Sequence, residues 1–192
     1  MRQTRLAAIL TLLVLIPGCI RENRVTVRSV QESVVDAAAL PVAVYATPDG
    51  NTADIYLTNL SQPQLDPGGS LEGASGRLIH LHLFLTPKAG STPIATSACS
   101  VTVRHIVIAD GEVGIYAGGG FLAPRTRVGA EEFISEVNGA TLRLTGKTGG
   151  FQDALGPATF EATVAAQHSE SQARRIGARV EELLRGAGAP ER

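Results

Sequence analysis

The fragment of this 192-residue chain best suited to chemistry is His80-Leu81-His82. On a β-strand alternate residues share a face, so imidazoles separated by one residue project the same way. Such a pair supplies two ligands to zinc, iron or copper, and the remaining ligands must come from elsewhere in the fold. His105 is the expected third ligand if its strand lies alongside, with Glu112 as a fourth. The competing reading is two half-buried structural histidines. Leu78 and Phe84 flank them on one face, and Ile79, Leu81, Leu83 and Leu85 fill the other. The expectation is therefore no cofactor, with a transition metal such as zinc on His80, His82 and His105 as the alternative.

Other reactive groups point to little. Cys99 shares strand parity with Val101, Val103 and His105. Six residues along a strand span about 20 Å at ~3.3 Å each, too far for a Cys–His nucleophile. A buried, inert thiol is expected. The run Gly114 to Phe121 is rich in glycine but lacks the Lys-Ser/Thr pair of a phosphate loop. Glycines at a strand end mark a bulge, a barrel corner or close backbone packing instead. No Gly-x-Ser-x-Gly elbow occurs. Glu131-Glu132 and Glu181-Glu182 are neighbours in sequence, so each pair splits between faces and makes no acid–base dyad. No catalytic residue is nominated, and the expectation leans away from an enzyme.

These residues must be positioned by β-structure. Runs rich in Val, Ile, Thr and Leu, punctuated by Gly, Pro and Asp, predict strands at 42–46, 54–60, 77–86, 99–109, 112–117, 137–145 and 158–167. Asp110-Gly111 predicts a type I′ hairpin, because both residues readily take positive φ. It sets Ala109 opposite Glu112, Val107 opposite Gly114, and His105 opposite Tyr116. Ile106, Ile108, Val113 and Ile115 then form an apolar patch on the other face. In a barrel with an apolar cavity, His105 and Tyr116 would be the polar handle for a small ligand. Phe151 and Leu155 are expected to tuck in from a connecting loop.

Ser29 with Glu32 reads as a capping box opening a helix that Pro41 ends; the rival is a strand through Val25 and Val27. Ser169 with Gln172 caps a closing helix whose stripe is Ala173, Ile176, Val180, Leu183 and Leu184. The expected fold class is all-β, an antiparallel barrel or sandwich of about seven strands, with a C-terminal amphipathic helix. The Gly-rich turns and closing strand resemble small β-barrels of the lipocalin or allene-oxide-cyclase kind, a likeness of fold that implies no function.

The N-terminus addresses the chain. Arg2 and Arg5 precede an apolar run from Leu6 to Ile16, too short to span a bilayer. It ends in Leu15-Ile16-Pro17-Gly18-Cys19, which resembles the lipobox of bacterial lipoproteins. That resemblance covers residues 1–19. Ile16 and Pro17 depart from its commonest residues. It implies a diacylglyceryl group (palmitate-type acyl chains) on the Cys19 sulfur and cleavage before it. Ile20 in place of Asp implies outer-membrane retention facing the periplasm.

The domains expected are a signal peptide at 1–18, a lipidated tether at 19–40, a β domain at 41–168, a packed helix at 169–187 and a tail at 188–192. Loss of Arg2 and Arg5 takes the formal charge from −1 to −3. That balance argues against nucleic acid, which asks for a basic stripe. The expected partners are the membrane, through the lipid anchor, and an envelope protein. With Cys19 acylated, Cys99 has no internal disulfide partner. Trp is absent and aromatics are few, which argues against a sugar-stacking surface. The function expected is a non-enzymatic binding, structural or assembly module, with a metal-dependent protein and a small-ligand barrel as alternatives.

Overall fold

The computed structural model describes residues 23–86 and 99–190. Cys19 lies outside the described residues, as does the segment 87–98.

Among the described residues, nine strands form one sheet that curls into a ring. In chain order they are β1 (Arg24–Ser29), β2 (Val35–Ala39), β3 (Val42–Ala46), β4 (Ala53–Thr58), β5 (Gly76–Leu83), β6 (Val101–Ala109), β7 (Glu112–Pro124), β8 (Glu132–Lys147) and β9 (Ala158–His168). A short helix α1 (Gln62–Leu65) precedes β5, and α2 (Glu170–Gly186) closes the chain. Strands β3 to β8 run as an antiparallel meander. β9 closes the ring by pairing with β8 along one edge. Its other edge is shared: Ala158–Thr163 take β1, and Gln167 and His168 take β3 in parallel. Asn23 helps to bridge the gap between them, its Oδ1 accepting from the Ala165 backbone N–H at 2.7 Å.

The all-β class with a terminal helix is what alternation and turn chemistry require, and a barrel-like ring is the form taken. The segment 24–39 differs from the helix expected there. It is a hairpin that extends the sheet from β9, so the rival strand through Val25 and Val27 is the correct reading. The polar signal at Ser29 is present nonetheless. Its Oγ accepts from the Gln31 and Glu32 N–H groups at 3.3 and 2.9 Å. That bond shapes a turn between two strands, since Ser caps turns as readily as helices.

Alternation divides the side chains into two cores. The inner one gathers Val27, Tyr45, Ile55, Ile79, Leu81, Val103, Phe133 and Phe160, with Phe151 and Leu155 packed in from the β8–β9 connection. The outer one gathers Val44, Tyr56, Leu78, Ile106, Ile108, Val113 and Ile115 beneath Ala173, Ile176, Val180, Leu183 and Leu184 of α2. Each fully buried side chain of this size contributes roughly 1.5–3 kcal/mol. The patch expected opposite His105 is thus the seat of the helix. α2 follows Ser169 as expected, but the Ser169 side chain makes no capping hydrogen bond.

The glycines expected to end a strand lie within one. β7 continues to Pro124, with register shifts at Ile115/Tyr116 and Gly119/Phe121. A Cβ at Gly118 would stand 1.7 Å from the Thr141 carbonyl oxygen. Close approach to β8 is therefore the reason for glycine here.

Candidate functional site

β4, β5 and β6 carry the site on their outer face. Register pairs Asp54 with His82 and Tyr56 with His80. It pairs His80 with Arg104 and His82 with Thr102. Alternation keeps all six on one side of the sheet, opposite the inner core. Asp54 is the hub: its Oδ1 lies 2.9 Å from His80 Nε2 and 2.8 Å from His82 Nδ1. The Tyr56 ring stacks on His80, with centroids 4.7 Å apart and planes 11° from parallel.

Hydrogen-bond chemistry assigns the protons. Arg104 Nη1 lies 3.3 Å from His80 Nδ1, and a guanidinium only donates. His80 Nδ1 is therefore an acceptor, and its Nε2–H donates to Asp54. His82 donates to the same oxygen through Nδ1–H, so in the neutral ring Nε2 is the acceptor. The two imidazoles thus hold opposite tautomers.

Electrostatics agree with this pattern. Burial pushes the His80 pKa down and outweighs the Asp54 carboxylate, which pulls it up. Burial pushes Asp54 up, but the hydrogen bonds and charges of His80 and His82 prevail and hold it below the usual carboxylate range. Tyr56 is raised well above an ordinary phenol by burial, and then by the Asp54 and Glu181 charges. It stays a neutral hydroxyl.

The group opens onto a cleft of about 660 Å³, with Arg174, Gly177 and Glu181 of α2 on the opposite wall. Gly177 lets the helix come close, since a Cβ there would lie 2.8 Å from Tyr56 Oη. One atom each from Asp54, His80 and His82 lie within 4.8 Å of one another, the spacing of a three-ligand metal set.

The structure brings His80 and His82 together as expected but does not bring His105 to them. His105 pairs across the sheet with Ile79, not with a histidine. It therefore projects into the inner core, and the third member of the outer cluster is Asp54. Glu112 is elsewhere too, its carboxylate accepting from Thr148 Oγ1 and from the Gly150 N–H.

His105 does face Tyr116, in the register that Asp110-Gly111 predicts; these turn residues have φ of 51° and 83°. The two ring centroids are 6.2 Å apart. Both residues are buried, and neither lines the cleft. Tyr116 Oη donates to Asp153 Oδ1 at 2.6 Å. His105 Nε2 is 3.7 Å from Asp36 Oδ2, and its Nδ1 is buried without a hydrogen-bond partner. Asp36 is itself held by Arg77 through Nε at 2.6 Å and Nη2 at 3.1 Å. Cys99 is exposed rather than buried, because it precedes β6. Ser100 takes the buried place and accepts from the Leu122 N–H at 3.0 Å.

Asp54, Tyr56 and Arg104 are the site residues that sequence reasoning missed. The available signal was the alternation Asp54-Ile55-Tyr56, which mirrors His80-Leu81-His82 one strand away. Comparison with known protein families, characterised proteins and solved structures finds no match to this chain.

Proposed function

We propose that this chain is a lipid-anchored bacterial envelope protein whose β domain is a non-enzymatic binding module, with the cleft under α2 as its ligand site. The observation that carries the reading is the convergence of Asp54, Tyr56, His80, His82 and Arg104 on that one cleft. Binding sites are typically concave, with a few placed polar groups set among apolar walls. The cleft fits that description, and its polar groups are already ordered by one another. The inner face is mostly filled by a large apolar cluster, with His105 and the Asp36–Arg77 pair as polar groups on it, which favours an outer site over a ligand held inside the ring. Among the described residues that line the cleft there is no serine or cysteine, which supports binding rather than acyl transfer. The Cys19 anchor rests on the lipobox resemblance and would hold the module at a membrane, facing the periplasm in an organism with an outer membrane.

Two experiments test this. Cells expressing the full chain and fed labelled palmitate should yield a labelled membrane protein; Cys19→Ala should be unlabelled and leave the membrane fraction. Label retained by that variant would refute the anchor. For the cleft, thermal-shift measurements against a panel of amino acids, dicarboxylates and sugar phosphates should find ligands that stabilise the wild type. His82→Ala or Arg104→Ala should lose the response. Stabilisation that survives both changes would place the binding elsewhere.

A further inference from the structure

We infer that Asp54, His80 and His82 bind one divalent transition-metal ion facing the cleft, and that Arg104 restrains how tightly they hold it. This rests on the cleft being the ligand site and names the ligand class.

The donor set is two imidazoles and a carboxylate, the combination that suits zinc or ferrous iron with positions left open. Ligand bonds of about 2.1 Å place neighbouring donor atoms about 3.0 Å apart at right angles and about 3.4 Å apart in a tetrahedron. The two histidine nitrogens stand 2.9 and 2.8 Å from Asp54 Oδ1. Those two separations need to open by only a few tenths of an ångström to admit an ion, and all three donor atoms already lie within 4.8 Å of one another. Three protein ligands leave the remaining positions to the cleft, where water or a second ligand can enter.

Arg104 works against this. An ion at His80 Nε2 and His82 Nδ1 displaces both ring protons to the opposite nitrogens. For His82 that nitrogen is Nε2, on a ring that is partly exposed. For His80 it is Nδ1, which faces an Arg104 N–H at 3.3 Å. Two donors then oppose each other beside a new positive charge. Ligating histidines ordinarily present their second nitrogen to an acceptor, and changes in such partners alter affinity by 10–100-fold. Arg104 must swing away from His80 before the ion is held well. A small anion entering the cleft with the metal would draw it off.

The test is zinc titration by calorimetry of the full chain in detergent micelles, with circular dichroism to confirm that each variant is folded. One zinc per chain is expected in the wild type. His82→Ala, which removes a partly exposed ring, should lose it, and so should His80→Gln, which keeps a polar side chain under Tyr56. Arg104→Gln, which can offer a carbonyl to His80, should tighten binding about tenfold. The inference is overturned if folded wild type and Arg104→Gln take up no zinc, or if His80→Gln/His82→Ala binds zinc as the wild type does. Absence of zinc binding alongside retained thermal shifts from the organic panel would remove this inference and leave the cleft reading standing. Absence of both would remove both.

Discussion

Protonation of His105 should be the main acid weakness of the barrel, and His105→Leu should remove it. Burial is the first cause of its depressed pKa, which falls from 6.5 to about 4. The Asp36 carboxylate raises it in part, and Arg77 lowers it again. Because the folded pKa lies below the unfolded value, the unfolded chain takes up the proton first as pH falls. The stability linked to neutral His105 is therefore complete above about pH 6.5. It declines as pH falls through 6.5 and is lost by about pH 4. A difference of about 2.5 pH units corresponds to roughly 3 kcal/mol. Leucine is close in volume and has no proton to gain. It also removes the buried, unpartnered Nδ1, a group that costs about 1–3 kcal/mol.

Urea denaturation at pH 7.5, 6, 5 and 4.5 measures both proteins. The wild type should lose stability relative to His105→Leu by about 2–3 kcal/mol across that range. Carboxylates titrate in both proteins and largely cancel in the difference. Parallel stability curves would refute the reasoning, showing that His105 is protonated in the folded chain or is reached by water.

Two packing predictions follow from neighbouring parts of the fold. Gly118→Ala places a Cβ 1.7 Å from the Thr141 carbonyl oxygen, a backbone atom that cannot yield. Thermal unfolding should show a loss of about 3 kcal/mol or more, roughly 6–12 °C in Tm. Arg179 is buried on α2, donating to the Gln64 and Gly69 carbonyls at 3.1 and 2.6 Å and pairing with Glu182 at 2.8 Å. Arg179→Ala leaves those acceptors without it and should cost about 3 kcal/mol by urea denaturation, whereas Arg174→Ala, at an exposed residue of the cleft wall, should cost less than about 0.5 kcal/mol.

Legibility followed the range of the interactions. Asp110-Gly111 set its register because turn and strands are contiguous, so the facing of His105 and Tyr116 could be read directly. The same hairpin held the answer about His105: residues facing Tyr116 lie opposite the apolar patch, yet which face α2 would cover is a tertiary choice. Asp54 was hidden for a related reason. Its contact with His80 and His82 depends on the β4–β5 register, and the long connection holding α1 does not specify it. Ser29 misled because one hydroxyl–amide bond serves a helix start and a strand turn alike; pairing of Val25 and Val27 with Ala162 and Phe160 decided the matter. Cys99 misled through a boundary, since alternation extrapolated past Val101 fails where the strand has not begun.

The central claim is that the outer cluster, and not the inner histidine, is the binding site. Long-range 1H–15N correlation of the imidazole rings, recorded before and after addition of zinc, tests it most directly. Without metal, His80 should show the Nε2–H tautomer and His82 the Nδ1–H tautomer. Zinc should shift the ring nitrogens of both and leave His105 and His168 in place. A response at His105, or one shared tautomer for His80 and His82 with no response to zinc at either, would contradict the account.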